Sequence, residues 1–298
     1  MKFGFLTMGC SLDEQLGCAV RAEQRGFESL WLPDHLVMPS PIPASYPYLF
    51  DEQGNCRLSP DAPLYDPWVV ISHLASRTST LRFGTAVYLL ALRHPLATAR
   101  ALVTLDQLSG GRVMLGVGVG WLKEEFDALE LPFDRRGVLT DEIIGLLRRL
   151  WREQTIVHDG DFYRIPAVGF APKPVSGSGI PILIGGASPA ALRRAGTLGD
   201  GWLDAGSASL GEIAVQIGVI NQQRKMAGRD HLPFDITLVG NGIFHSPEMV
   251  ARAAELGVTR IVVNHLENTG GGEAWQGDCL GFIDHYAETV IDSVGKGA

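Results

Sequence analysis

Several things are scarce in this sequence, and each scarcity excludes a class. Basic residues are outnumbered, 25 against 33 acidic, for a net charge of −8 and a pI near 5.5. Nucleic acid and anionic membrane surfaces both demand a basic face, so neither is expected as a partner. No apolar run reaches the ~18 residues of a membrane span. The opening MKFGFLTMGC carries one lysine and a glycine-broken apolar run, not the long core of a secretory signal. Cysteine is limited to Cys10, Cys18, Cys56 and Cys279. None form C-x-x-C, and no Cys/His spacing has a zinc pattern, so no metal is expected. Incidental thiols in a reducing cytoplasm are the simplest reading. The motifs of nucleophilic and zinc hydrolases, G-x-S-x-G and H-E-x-x-H, are also missing.

What is present is apolar residue and glycine. The 298 residues are 46% hydrophobic and only 19% charged, enough to bury a large core. Glycine numbers 36, roughly 12% of the chain against a usual ~7%. It has no collagen-like period, so it marks turns and close backbone approaches.

Short apolar runs alternate with longer amphipathic ones. Strands are expected at 3–7, 28–32, 81–87, 112–118, 181–186, 201–205, 234–240 and 260–264. Helices are expected at about 11–25, 66–78, 95–108, 138–151, 189–198, 208–227, 247–256 and 279–291. In 138–151, Val138, Leu139, Ile143, Leu146, Leu147, Leu150 and Trp151 fall near one face at a 3.6-residue period. Ser11 to Glu14 fits a capping box. Asp66-Pro67, His94-Pro95, Ser188-Pro189 and Ser246-Pro247 each put a polar N-cap before a proline at N1. Residues 155–165 read as a β-hairpin turning at Asp159-Gly160, before a Pro/Gly/Ser-rich stretch at 166–181.

Eight strands alternating with eight helices predict an α/β fold, a single (β/α)8 TIM barrel over 1–298. Insertions follow strands 2 and 4, and the hairpin precedes strand 5. A doubly wound sheet is the rival, but strand 1 leads into Thr7-Met8-Gly9-Cys10 with no G-x-G-x-x-G.

A barrel places function on the loops after the C-terminal ends of its strands. The longest, Pro33 to Tyr65, holds seven prolines with Tyr46, Tyr48 and Phe50, and reads as a lid or binding wall. Asp34-His35 follows strand 2; an acid beside an imidazole at a strand end orients it, or caps a turn. Gly84 to Tyr88 ends strand 3 in small residues that admit a flat ring, or that merely fit the barrel. Arg93 and His94 then stand beside a helix start, as an anion site or as a plain cap. Gly116-Val-Gly118-Val-Gly120-Trp121 ends strand 4 with G-x-G-x-G, not a dinucleotide spacing; its backbone amides can meet a ligand, with Trp121 on the rim. Gly185-Gly186-Ala187-Ser188-Pro189 makes an anion site of free amides and a helix dipole, or an ordinary turn. Glu124-Glu125 sits in a charged run and reads as a solvated face. These residues describe a barrel for a flat phosphorylated ligand that itself carries the chemistry.

Three blocks resemble the luciferase-like monooxygenase superfamily, in its coenzyme F420-dependent oxidoreductase branch. They are SLWLPDHLV (29–37), LRFGTAVYLL through PFDRRG (81–137), and PILIGGASPAALRRAGTLGDGWL (181–203). The resemblance implies a flavin-type ring across the barrel mouth and a non-prolyl cis peptide near Ala86-Val87 behind it. It implies Asp34 and His35 near the ring, His35 as the catalytic acid–base group, and Gly118, Val119 and Gly120 beside the ring. Gly185, Gly186, Ala187 and Ser188 would hold the phosphate, with Trp121 and Tyr88 toward substrate. It implies hydride transfer between F420 and a small organic substrate, in a cytoplasmic homodimer. An FMN-dependent monooxygenase and a flavin-binding protein without turnover are the alternatives. Sugar-phosphate dehydrogenases of the superfamily carry a glutamate directly after the strand-4 glycines, where this chain has Trp121; that argues against sugar-phosphate oxidation.

Overall fold

A computed structural model describes residues 1–43, 61–204, 209–240, 242–266, 275 and 277–296. Eight parallel strands close into a barrel in the order β1 (Lys2–Leu6), β2 (Ser29–Leu32), β3 (Arg82–Thr85), β5 (Val113–Gly118), β8 (Ile182–Gly185), β9 (Gly201–Leu203), β10 (Asp235–Val239) and β11 (Arg260–Val263). β11 pairs back onto β1, with Phe3 opposite Ile261. β4 (Tyr88–Leu89) is a two-residue extension on the end of β5, with Tyr88 opposite Val117. The helices between strands are α1 (Leu12–Gln24), α2 (Pro67–Ala75), α3 (Pro95–Ser109), α5 (Arg136–Arg152), α6 (Pro189–Leu198), α7 (Leu210–Met226), α8 (Pro247–Glu255) and α9 (Cys279–Tyr286). α4 (Lys123–Ala128) is an extra turn between β5 and α5, and α10 (Asp292–Lys296) continues the last helix. The (β/α)8 barrel is thus as the sequence implies.

Local chemistry sets the element ends. Ser11 and Glu14 close a reciprocal capping box on α1. Asp66, His94, Ser188 and Ser246 each accept a backbone N–H in the first turn of a helix with proline at N1. Gly110 ends α3 in the left-handed region, at φ 70°.

The barrel interior is narrow and is filled by Leu6, Trp31, Met114, Leu183, Leu203 and Val262. Trp31 dominates it, fully buried, with its indole N–H donated to Ser29 Oγ at 2.9 Å. A Cβ on Gly4 would lie 2.7 Å from Trp31 Nε1, and one on Gly84 2.5 Å from Trp31 Cε3. Those two glycines make room for the indole, so Gly84 serves packing rather than a ligand.

A charged plug closes the N-terminal end. Arg260, fully buried, donates from Nε and Nη2 to the Glu28 carboxylate at 2.9 and 3.1 Å, and from Nη1 to Thr237 Oγ1 at 3.0 Å. Burial pushes the Glu28 carboxyl up, but Arg260, with Ser29 and Arg82, outweighs it and holds the group below the ordinary glutamate range.

Four expectations need correction. Strand 3 does not run to residue 87; it stops at Thr85 and the chain bulges before β4. The hairpin of β6 (Thr155–Asp159) and β7 (Arg164–Gly169) reaches four residues further than 165. Glu142 of α5 fixes its turn, accepting the N–H groups of Phe162 and Tyr163 at 3.0 and 2.9 Å. The last helix is not one regular run, since Ala287–Ile291 form a wider π turn. Val138 also lies outside the buried stripe of α5 and is exposed.

Candidate active site

The mouth of the barrel is made by the segments that follow β2, β3, β5 and β8. At β3 the peptide between Ala86 and Val87 is cis. That matches the expected bulge, and both side chains pack on the end of the inner cluster. The Val87 side chain sits between two strand ends. A Cβ on Gly118 would collide with Val87 Cγ2, and one on Gly185 would come 2.6 Å from Val87 Cγ1. The glycines ending β5 and β8 therefore seat Val87, and the floor of the mouth is small and apolar.

After β2 the chain leaves through Pro33. Asp34 follows, its carboxylate fully buried. It accepts from Arg93 Nη1 and Nη2 at 2.6 and 2.7 Å and from the Leu89 N–H at 2.9 Å. This bidentate pair locks the β2 exit to the segment after β3. The Asp34 carboxylate is thus held by Arg93 and the Leu89 N–H at the exit of β2. The same pairing answers the anion reading of Arg93, which also lies over the Tyr88 ring at 4.4 Å. His94 is the cap of α3, accepting the Leu96 N–H at Nδ1.

His35 is held by a group the sequence reading passed over. Its Nδ1 lies 2.9 Å from Glu125 Oε2. Glu125 is not on a solvated face; its side chain is 0% exposed. Its Oε1 accepts the N–H groups of Leu36 and Val37 at 2.7 and 3.4 Å. A carboxylate that accepts from the backbone also accepts from imidazole, so Nδ1 is the nitrogen that donates to Glu125. Nε2 is left as its remaining polar atom. The ring is 18% exposed and meets Trp121 edge-on, centroids 5.5 Å apart. The signal for Glu125 was available: an acid flanked by Leu122 and Phe126, both fully buried, on a short helix.

The turn that delivers Glu125 depends on Gly120. Its φ is +83°, and a Cβ there would lie 2.8 Å from Phe126 Cε2. Val119, Gly120 and Trp121 are each half-buried on the rim.

At β8, Gly186 has φ +111°, donates its N–H to Leu203 O at 3.1 Å and accepts Trp202 Nε1 at 2.8 Å. Its amide is spent inside the fold, so it shapes the turn and does not donate to an anion. Ser188 Oγ accepts the Ala191 N–H at 3.2 Å and retains its own proton. The N-terminus of α6 opens just after Ala187, with Pro189 at N1.

Tyr88 does not join this group. It is buried against Trp68, ring centroids 5.0 Å apart, and lines a separate cleft between α2 and α3 of about 560 Å³. The cleft shares Arg93 with the mouth segments but includes none of His35, Val87, Gly118, Trp121, Glu125 or Ser188. Tyr46, Tyr48 and Phe50, the aromatics of the expected wall, lie outside the described residues.

The family model for luciferase-like monooxygenases matches residues 1–256. The chain belongs to this family. Among curated relatives of this luciferase-like chain is an uncharacterised protein of Mycobacterium tuberculosis (strain H37Rv), 32% identical over 263 residues, 88% of each chain. The F420-dependent glucose-6-phosphate dehydrogenase of Nakamurella multipartita is 32% identical over 188 residues, 62% of this chain and 50% of that one. Among solved structures, an F420-dependent secondary alcohol dehydrogenase in complex with an F420-acetone adduct superposes with a TM-score of 0.75 at 18% identity, covering 98% of both chains. That last likeness is one of fold. Family members of this kind are oxidoreductases and monooxygenases, so the chain is assigned to redox chemistry. Among the described residues, no helix is long and apolar enough to cross a membrane.

Proposed function

We propose that this protein is an oxidoreductase that exchanges hydride between coenzyme F420 and a small organic substrate. The observation that carries the proposal is the buried Glu125 holding His35 beside Trp121 at the rim of a small, apolar barrel mouth. An imidazole preset in one tautomer, next to an aromatic wall, is machinery for moving one proton at a bound substrate. A binding protein without turnover has no use for it.

The residues fit a flavin-type group. Val87 and Ala86 offer an apolar floor between side-chain-free Gly118 and Gly185. The N-terminus of α6, with the Ser188 hydroxyl and the dipole of a ten-residue helix, favours a phosphate. When bound, the cofactor supplies the hydride-transfer chemistry. The protein supplies orientation, exclusion of water by the rim, and a site for proton exchange at His35 Nε2. The F420-dependent relatives favour the deazaflavin. The family's monooxygenase character keeps FMN as the second reading. Trp121, at the position where a sugar-phosphate dehydrogenase has its acid, favours a substrate smaller and less polar than a sugar phosphate.

The chain is further proposed to act in the cytoplasm as a homodimer. Its candidate self-association face is the α2–α3 cleft, where Val69 and Leu108 are each 71% exposed. Neither nucleic acid nor membrane is proposed as a partner. The test of function is purification from a deazaflavin-producing host, followed by mass spectrometry of the released ligand.

A further inference from the structure

Cys10, Cys18 and Cys279 stand far apart in sequence, yet their Sγ atoms all lie within 4.8 Å of one another. All three are buried and none is disulfide-bonded. They come from three elements: the loop after β1, the middle of α1, and the first residue of α9. A fourth donor stands beside Cys10. His265, in the turn after β11, brings Nδ1 to 4.0 Å from Cys10 Sγ.

We infer that Cys10, Cys18, Cys279 and His265 form a structural site for zinc, a closed Cys3His tetrahedron. Magnitudes favour this reading. Zinc bonds thiolate at ~2.3 Å and imidazole at ~2.0 Å, so a tetrahedron sets S···S at about 3.8 Å and S···N at about 3.5 Å. The three sulfurs lie within about 1 Å of that S···S spacing and His265 Nδ1 within about 0.5 Å of that S···N spacing from Cys10, so swinging the His265 ring toward Cys18 and Cys279 completes the tetrahedron. Three thiolates and one imidazole are also a soft donor set, which selects zinc over magnesium or calcium.

The surroundings suit thiolates. Cys10 directly precedes Ser11, the N-cap of α1, and Cys279 is the first residue of α9, capped by Asp278. Positive helix ends stabilise thiolate, and metal binding requires that form. The two ligand-bearing loops are already fixed to each other. Asn264 donates to Leu6 O and Met8 O at 2.6 and 3.1 Å and accepts the Leu266 N–H at 2.8 Å, on either side of His265. Gln15, one turn before Cys18, donates to Cys10 O at 3.1 Å. Its own buried Oε1 has no hydrogen-bond partner among the described residues, so the pocket is polar rather than purely apolar.

The role follows from placement. β1 pairs with β11, and the ligands belong to the first and last β/α units. Zinc here clamps the seam where the barrel closes, joining the two ends of the chain. Binding releases thiol protons and stabilises the folded state by mass action.

The test uses the full-length chain, reduced and stripped by chelator, then titrated with zinc alone. The expected result is one zinc per chain and a melting temperature that rises with zinc concentration. Cobalt in place of zinc should give thiolate-to-metal charge-transfer bands and the intense visible absorption of a tetrahedral site. Cys10→Ser or Cys279→Ser should weaken zinc by at least ~10²-fold, since even an outer-shell partner is worth 10–100-fold. If a serine variant fails to fold, the cobalt spectrum of the unaltered chain still decides. Folded, reduced protein that takes up no stoichiometric zinc, or cobalt bound without charge-transfer bands, overturns the assignment and leaves three core thiols. Metal content and melting are read without any flavin-type cofactor, so this result stands apart from the proposed activity.

Discussion

His35 Nδ1 lies 2.9 Å from Glu125 Oε2, joining the loop after β2 to the short helix after β5. The carboxylate is buried and the imidazole partly open, so under the proposed function one residue orients and the other acts. Removing either should therefore have a different signature.

His35→Asn keeps size and polarity but cannot shuttle a proton near neutral pH. Turnover with a working substrate should fall on the order of 10²-fold or more, with cofactor affinity changed only modestly. Turnover unchanged in a folded variant would mean that the proton comes from water.

Glu125→Gln retains shape and presents an amide to an imidazole and two backbone N–H groups. Loss of kcat with little change in KM is the outcome expected of a positioning residue. A loss of roughly 1–3 kcal/mol in unfolding free energy should accompany it, from poorly satisfied buried donors. Full activity would place the orientation of His35 elsewhere.

The seat of Val87 can be tested by rescue. Gly118→Ala drives a methyl into Val87, so the single variant should lose cofactor affinity and stability. Adding Val87→Ala removes the methyl it strikes. The double variant should recover stability beyond the sum of the two single effects. Strict additivity in chemical denaturation would show that the two residues are not coupled.

The charged plug predicts an acid limit. Glu28 has a depressed carboxyl pKa, so its contribution is whole above the ordinary glutamate range and fades as pH falls through the lowered native value. Glu28→Ala strips the buried Arg260 of its closest carboxylate, leaving Asp235 at 3.6 Å and Thr237 Oγ1 at 3.0 Å, and should cost about 3 kcal/mol near neutral pH. Its stability difference from the parent should shrink on acidification. Urea titrations at several pH values measure this, and a difference that stayed constant to low pH would contradict it.

Much of the fold was legible because its punctuation is local. The capping box at Ser11, the four polar-proline starts and the αL glycine after α3 are read from two to four residues each. The mouth was legible for the same reason: strand ends locate it, and the resemblance marked the Ala86-Val87 bulge. What stayed hidden depends on partners distant in sequence. Glu125 looked solvated until α4 turned it inward toward residues 35–37. Asp34 gave no sign in sequence of its bidentate partner Arg93, 59 residues away. Tyr88 followed the bulge in sequence, but the chain reverses its face there and sends it outward to Trp68. The cysteines gave no spacing signal, because barrel closure alone brings Cys279 to Cys10.

The central claim is that the barrel mouth takes a deazaflavin and exchanges hydride with it. Equilibrium titration of the purified chain with F420 and with FMN, followed by absorbance, tests it most directly. The account predicts one F420 per chain, bound more tightly than FMN, with binding weakened by a Ser188→Asp charge at the start of α6. Tight FMN binding with no uptake of F420, or no binding of either, would contradict it.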